Sequence, residues 1–283
     1  MQMPNKFFLT LKLMRLNSPT GYLLVFFPAL FGILLAKPTI VELIKLVPVF
    51  FLGSIITRSA GCVINDIFDK NYDKHVARSK ERPLANGLLT VKDALIILII
   101  LLVCALLILL SLNRAAIYIG FFAFVMIILY PLMKRFTNFP QVFLGLTFNL
   151  GVLIGYAAIL DKLTIQAFIM YIACCSWTVG YDTIYGFMDL VDDKKIGVKS
   201  LARWLENKNY RLWLYSFYII FILLFILSAN IANYNINYIA ISVALIMLLW
   251  QVAILNINNP ANCLAIFKNN NYVGLMLVLT LVV

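Results

Sequence analysis

The sequence predicts an all-α protein that crosses a lipid bilayer many times as a bundle of helices. Of its 283 residues, 63% are hydrophobic and only 12% are charged, whereas soluble domains carry about 25% charged residues. The apolar residues form continuous runs rich in leucine and isoleucine. Such runs span the hydrocarbon core as helices of about 17–25 residues. A transmembrane barrel would instead show segments of alternating polarity.

Nine apolar runs are candidate membrane spans. They cover residues 20–36, 40–64, 94–112, 115–133, 141–160, 164–188, 211–229, 235–256 and 270–283. The first run lacks a small-residue cleavage site, so we expect it to be kept as a span. The chain has no Ser/Gly/Pro-rich linker. We therefore predict a single integral-membrane domain over residues 1–283, with a central cavity that faces the cytoplasm.

Membrane orientation accounts for much of the net charge of +11, so we expect no nucleic-acid partner. If the nine runs are spans, 18 of the 23 lysine and arginine residues lie on the same side as the N-terminus. Short cytoplasmic loops carry such an excess of positive charge. The N-terminus and the two long charged connections, residues 65–93 and 189–210, are thus predicted to be cytoplasmic.

Acidic residues are concentrated at two places on this side. Of the 12 acidic residues, seven lie near the ends of the second and sixth spans or just beyond them: Asp66, Asp69, Asp73, Asp182, Asp189, Asp192 and Asp193. The first three are spaced i, i+3, i+7, which places them on one face of a helix, with Asn65 beside them. In the second group, positions 182, 189 and 193 also share one helical face. We expect both groups to continue their membrane helices toward the cytoplasm.

These acidic groups have two interpretations. Loops of mixed charge are usually solvated topogenic loops. Two acidic helix ends that meet across a cavity would instead form an oxygen-rich cation site, and oxygen ligands favour Mg²⁺ or Mn²⁺ over zinc or copper. Bound Mg²⁺ could then hold a diphosphate. Basic residues nearby could neutralise it further: Arg78, Lys80, Arg82, Lys134, Arg135, Lys194, Lys195 and Lys199.

Arg58 is a charged residue inside the second span, upstream of Asp66. A charged side chain within a span is costly and normally faces a cavity or a substrate path. We therefore expect Arg58 to require an anionic partner.

Three motifs resemble those of the UbiA family of intramembrane prenyltransferases. RSAGCVINDIFDKNYDKHVARSKERPLANG resembles the first aspartate-rich motif, NDxxDxxxD followed by RxxxRPL, and YDTIYGFMDLVDDKKIGVKSLA resembles the second. YPLMKR, residues 130–135, matches the short motif after the fourth helix. The RSAGCxxND and YDTxY sequence patterns are most similar to those of the branch that prenylates 4-hydroxybenzoate for ubiquinone biosynthesis.

The resemblance implies a Mg²⁺-dependent transfer of a polyprenyl group from polyprenyl diphosphate to 4-hydroxybenzoate, ortho to the phenol. Asp182 would belong to the catalytic carboxylates, and Tyr130 would line the pocket. Arg58 would bind the carboxylate of the acceptor. The residues implied to hold Mg²⁺ are Asn65, Asp66, Asp69, Asp73, Asp189 and Asp193. Those implied to contact the diphosphate are Arg78, Lys134 and Lys199.

Two alternatives remain. A member of the same family could use another acceptor, such as haem B or a naphthoate. A cation-coupled transporter could also use intramembrane acids as ion sites, although transporters tend to show broken helices near the midplane. The preferred hypothesis places the protein in the bilayer of a bacterial inner membrane, or of the mitochondrial inner membrane in a eukaryote. It admits other quinone-pathway enzymes as partners.

Overall fold

The computed structural model describes residues 5–76 and 78–282, apart from the side chains of Lys134 and Val282. The described residues form helices joined by turns, without a strand, which confirms the all-α prediction. The helices are α1 (Lys6–Leu13), α2 (Pro19–Leu35), α3 (Ile40–Asp73), α4 (Val91–Leu110), α5 (Arg114–Phe136), α6 (Pro140–Phe148), α7 (Leu150–Leu160), α8 (Ile165–Gly186), α9 (Leu190–Ile196), α10 (Leu201–Leu205), α11 (Tyr210–Ile231), α12 (Tyr238–Ala253) and α13 (Pro260–Val282).

The chain is an integral membrane protein. Among the described residues, six segments are long and apolar enough to cross a bilayer: α3, α4, residues 114–133, residues 140–160, α11 and residues 260–281. Helices α2 and α12 are apolar but shorter. Helix α3 has 34 residues, which gives a length of about 51 Å. Because the hydrocarbon core is only about 30 Å thick, α3 extends beyond it.

Polar side chains fix where several helices begin. The Thr39 side chain accepts a hydrogen bond from the Glu42 amide at 3.3 Å, and the Glu42 carboxylate accepts one from the Thr39 amide at 2.6 Å. Thr90 and Asp93 form the same reciprocal cap at the start of α4. Such boxes satisfy amide groups that the first helical turn leaves without intrahelical partners.

Helix α13 begins at Pro260, well before the predicted span at 270–283. The Asn259 side chain accepts hydrogen bonds from the amides of Ala261 and Asn262 at 3.1 and 3.2 Å. This is an N-cap followed by proline at the first helical position, where proline is well tolerated. The predicted start of this span was therefore too late in the sequence.

The predicted span at 141–160 is broken at Asn149, which separates α6 from α7. The buried Asn149 side chain donates to the Gly145 carbonyl at 2.7 Å and to Thr178 Oγ1 at 2.8 Å. Backbone irregularity at membrane depth requires such internal partners, because lipid offers none. The Asn149 side chain thus connects the break to α8.

Helices α2, α7, α8 and α11 form the tightly packed part of the bundle. The rings of Trp177 and Phe221 are stacked, with centroids 5.2 Å apart, and Phe31 meets Phe225 edge to face at 5.4 Å. Helices α2 and α7 approach closely at Gly32, where a Cβ atom would lie 2.0 Å from the Val152 carbonyl oxygen. Small residues permit such approaches between membrane helices.

Candidate active site

A cavity of about 680 Å³ is lined by residues of α2 to α9 and of α13, with acidic residues at one end and apolar residues at the other. It brings together eleven of the twelve predicted site residues: Arg58, Asn65, Asp66, Asp69, Asp73, Arg78, Tyr130, Asp182, Asp189, Asp193 and Lys199. The twelfth, Lys134, has a side chain outside the described residues. The cavity therefore joins both aspartate motifs, which are far apart in sequence.

The first aspartate group lies on the last turns of α3, as predicted from its spacing. Asp66, Asp69 and Asp73 all face inward and are buried. Asp66 is only 1% exposed. Because a buried carboxylate is costly without a counter-charge or hydrogen bonds, this face of α3 requires cationic partners.

Two arginines supply that counter-charge to the first group. Arg15, just after α1, donates to both carboxylate oxygens of Asp66 at 2.7 and 3.1 Å. Arg82 Nη1 bridges Asp66 Oδ1 at 3.1 Å and Asp73 Oδ2 at 2.7 Å. Paired contacts of this kind are among the stronger side-chain interactions. Both arginines also line the cavity.

The second aspartate group does not lie on one continuous helix, which corrects our expectation. Helix α8 ends at Gly186, a 3₁₀ turn follows at Phe187–Asp189, and α9 begins at Leu190. Because of this turn, Asp182 on α8 and Asp193 on α9 do not lie on one face of a single helix. Asp182, Asp189 and Asp193 nevertheless all line the cavity.

Arg78 connects the two groups. It follows the first group in sequence, yet its Nε and Nη2 atoms donate to the two oxygens of Asp189 at 2.9 and 2.5 Å. Its Nη1 atom donates to the Tyr185 hydroxyl at 2.5 Å. Burial lowers the pKa of Arg78, but Tyr185 and Asp189 together raise this pKa above its ordinary value, so the guanidinium is charged.

Lys199 is a further cation that was predicted to contact the diphosphate. Lys199 Nζ donates to the Phe136 carbonyl at 3.5 Å and lines the cavity. Asp192, beside the second group in sequence, is absent from the described lining and pairs with Lys195 at 3.6 Å. The lining thus distinguishes Asp189 and Asp193 from the carboxylate between them in sequence.

Arg58 lies on α3 deeper in the same cavity. Its Nη1 atom donates to Cys62 Sγ at 2.7 Å, and its guanidinium lies 5.6 Å from the centre of the Phe148 ring. Tyr130 packs against Phe148 with ring centroids 6.5 Å apart. No carboxylate of the described residues forms an ion pair with Arg58 within 4.0 Å. The Asp182 carboxylate lines the same cavity and interacts with Arg58 electrostatically at longer range, so Arg58 has no directly paired anion within the described part of the chain.

Arg15 and Arg82 were not predicted as site residues. Arg15 was counted only as a topogenic charge, and Arg82 only among the basic residues that could neutralise a bound diphosphate. Arg82 had a weak signal, because it follows the first aspartate group closely. Arg15 had none, since it is 51 residues from Asp66.

The side chains of the acidic end fit a hard divalent cation by donor type. They offer carboxylate and amide oxygens, which Mg²⁺ prefers, and Mg²⁺ needs only one or two carboxylates when a phosphate and water complete its shell. Within residues 5–76 and 78–282, no three Asp, Glu, His or Cys residues are grouped as a metal site. The arginine pairs of Asp66, Asp73 and Asp189 must therefore open for these carboxylates to hold a cation together.

A helical membrane bundle whose cavity joins an acidic, arginine-rich end to an apolar end has the form of an intramembrane enzyme for amphiphilic substrates. Residues 25–276 match the UbiA prenyltransferase family. The chain belongs to this family.

Two relatives show the extent of the similarity. The 4-hydroxybenzoate octaprenyltransferase of Francisella tularensis subsp. mediasiatica (strain FSC147) is 36% identical over 271 residues, covering 96% of this chain and 95% of the relative. The mitochondrial 4-hydroxybenzoate polyprenyltransferase of Caenorhabditis elegans is 41% identical, covering 94% of this chain and 76% of the relative.

Solved structures show the same fold. The apo structure of a UbiA homolog from Aeropyrum pernix K1 has a TM-score of 0.78 at 20% identity and covers 90% of this chain and 94% of its own. A UbiA homolog from Archaeoglobus fulgidus bound to GPP and Mg²⁺ has a TM-score of 0.69 at 16% identity, with 96% and 98% coverage.

Proposed function

We propose that the chain transfers a polyprenyl group from polyprenyl diphosphate to 4-hydroxybenzoate, ortho to the phenol. The observation that carries the proposal is the convergence of both aspartate groups and Arg58 on one cavity. The names of the two relatives support the choice of acceptor. The product would be a precursor of ubiquinone.

We assign the diphosphate to the acidic end of the cavity. The residues proposed to hold Mg²⁺ with it are Asn65, Asp66, Asp69, Asp73, Asp189 and Asp193. When bound, Mg²⁺ would act as a Lewis acid that neutralises the diphosphate oxygens. The Archaeoglobus fulgidus structure with GPP and Mg²⁺ supports this pairing of ligands.

The basic residues at this end would bind the same diphosphate. Arg15, Arg82 and Arg78 would exchange their carboxylate partners for phosphate oxygens. Arginine binds carboxylate and phosphate with similar bidentate geometry. Lys134 and Lys199 would add further positive charge. Neutralising the leaving group favours breakage of the allylic C–O bond, because negative charge develops on the diphosphate in that step.

We assign the acceptor to the region of Arg58. Its guanidinium would pair with the carboxylate of 4-hydroxybenzoate, while Phe148 and Tyr130 would contact the ring. The apolar end of the cavity would hold the prenyl tail, where each buried CH₂ group contributes about 0.8 kcal/mol. A membrane location suits this substrate because long prenyl chains partition into lipid.

Asp182 is our candidate for the base that removes the ring proton. It lines the same cavity as Arg58 and Arg78, which supports a role close to both proposed substrates. The allylic C–O bond would break, with its electron pair leaving on the diphosphate, and a new C–C bond would form between the allylic carbon and the ring. The ortho proton would then pass to the Asp182 carboxylate, which restores the aromatic ring.

The proposal includes a cytoplasmic acidic end. It rests on the distribution of basic residues between the predicted loops. Cysteine accessibility in closed vesicles tests this orientation, with single cysteines at Lys80 and at Lys162 of an otherwise cysteine-free chain. Labelling of the Lys80→Cys protein from the non-cytoplasmic side would contradict a cytoplasmic acidic end.

The decisive experiment incubates membranes that contain the protein with ring-labelled 4-hydroxybenzoate and geranyl diphosphate. We expect prenylated product with Mg²⁺ and none after chelation of divalent cations. Lack of product with any divalent cation would refute the transferase proposal. Product formed only with a naphthoate or haem B would reassign the acceptor, while cation uptake without product would favour a transporter.

A further inference from the structure

The Arg58 side chain is held from two sides of the cavity. Along α3, Cys62 lies one turn further on and accepts a hydrogen bond from Arg58 Nη1 at 2.7 Å. Across the cavity, the ring of Phe148 on α6 lies 5.6 Å from the guanidinium carbon. Among the described residues, the buried Arg58 Nε has no hydrogen-bond partner. One donor of the guanidinium is therefore available to a ligand.

Gly21 on α2 is the residue that leaves room for this guanidinium. A Cβ atom at Gly21 would lie 2.9 Å from Arg58 Nε, 3.5 Å from Nη2 and 3.6 Å from Cζ. The first distance is shorter than carbon and nitrogen atoms tolerate. All three atoms belong to the end of one flexible side chain, so a methyl group there would move the guanidinium and leave the α2 backbone in place.

We propose that Gly21 is a specificity-determining residue for the aromatic acceptor. Its lack of a side chain sets the position of the Arg58 guanidinium and keeps space beside Nε for a carboxylate. The inference rests on the proposed function, in which Arg58 binds the carboxylate of the acceptor. Gly21 itself contacts the reaction only through Arg58, so it is a positioning residue.

The size of the effect follows from the geometry of arginine. Recognition of a carboxylate by guanidinium depends on alignment of a planar group with two donors. Displacement of a binding group by about 1 Å can cost on the order of 100-fold in rate. We expect Gly21→Ala to lower kcat/KM for 4-hydroxybenzoate about 10- to 100-fold, mostly through KM, and to change KM for the diphosphate donor less than about 2-fold.

Ser216→Ala, another change of one small side chain to alanine, provides the control. Ser216 lies on α11, is absent from the described lining of the cavity, and donates its hydroxyl to the Leu212 carbonyl of the same helix. Both variants are compared with 4-hydroxybenzoate and with 4-hydroxybenzamide, a neutral analogue. We expect the preference for the carboxylate to fall in Gly21→Ala and to be retained in Ser216→Ala.

A double variant tests whether Gly21 acts through Arg58. If it does, Gly21→Ala will cost little further activity in an Arg58→Ala background, because residues that share one interaction are not additive. Equal losses in both backgrounds would overturn the inference. Cys62→Ala, which removes the other contact of the guanidinium, should also raise the acceptor KM and serves as a second variant if Gly21→Ala does not accumulate.

Different results would refute the proposed function and the role of Gly21. A wild-type protein that does not prenylate 4-hydroxybenzoate would refute the proposed function and this inference with it. An active wild type whose Gly21→Ala variant matches Ser216→Ala in acceptor KM and in carboxylate preference would overturn the inference alone.

Discussion

Arg15 and Asp66 form an ion pair that connects the end of α1 to the last turns of α3, which we propose to be cytoplasmic. Both carboxylate oxygens of Asp66 accept from the Arg15 guanidinium, at 2.7 and 3.1 Å, and the two residues are 51 positions apart in the sequence. Arg82 contacts the same carboxylate. The arginines therefore compete with any cation that Asp66 is proposed to bind.

This competition predicts opposite effects for the Arg15→Gln variant. Without diphosphate, the free protein should bind Mn²⁺ about 10-fold more tightly, a gain of about 1.4 kcal/mol, because one competitor for Asp66 is removed. Affinity for geranyl diphosphate should fall, because one cation at the donor end is lost. Electron paramagnetic resonance of Mn²⁺ with the detergent-solubilised protein measures the first effect. Lys12→Gln, an exposed charge on α1, is the control. Unchanged Mn²⁺ affinity would contradict the competition.

The two aspartate groups should both be required for turnover. Asp69→Ala and Asp189→Ala should each reduce kcat at least about 100-fold, a typical loss when a group that stabilises developing charge is removed. Asp192→Ala should retain most activity, since Asp192 is not part of the described cavity lining. Prenylation assays on equal amounts of membrane-inserted protein check this. Near-wild-type rates for both Asp69→Ala and Asp189→Ala would disprove the role of the two groups.

The Arg58→Ala variant should bind the acceptor weakly. Truncating one partner of a buried charge pair costs about 2–5 kcal/mol, so KM for 4-hydroxybenzoate should rise about 30-fold or more, while the donor KM should change little. Arg114→Ala, at the start of α5 and absent from the described lining, is the control. Steady-state kinetics with each substrate varied in turn make the measurement. An unchanged acceptor KM would exclude a carboxylate contact.

The proposed base can be tested through an isotope effect. Asp182→Asn should lower kcat about 100-fold or more, in the range of general-base catalysis, with little change in either KM. Proton loss should then limit the rate. Acceptor deuterated at both ortho positions should therefore react more slowly than unlabelled acceptor in the variant. If the variant shows full kcat, another group takes the proton.

Close packing of α2 on α7 predicts a stability effect. Gly32→Ala should destabilise the protein by about 1–3 kcal/mol, because its Cβ would lie 2.0 Å from a backbone oxygen that cannot move aside easily. Thermal unfolding in detergent should show a lower midpoint than for Gly61→Ala. Equal midpoints would mean that α2 and α7 separate without cost.

Local spacing predicted most of the acidic site, whereas long-range pairing was beyond it. Asp66, Asp69 and Asp73 lie on one buried face because α3 continues through them as a regular helix. The 3₁₀ turn at Phe187–Asp189 could not be inferred, since a helical spacing of carboxylates is compatible with a break between them. The contacts of Arg15 depend on how α1 packs against α3, which no local pattern specifies.

The continuity of α3 has a consequence for the size of the substrates. Arg58 and Asp66 are on the same unbroken helix, eight residues apart, so about 12 Å of helix axis separates them. Backbone hydrogen bonds fix this separation. It therefore sets the distance between Arg58, the proposed carboxylate anchor, and Asp66, a proposed diphosphate anchor. Homologues that use longer or shorter acceptors would have to change the walls opposite α3, because α3 itself cannot be stretched.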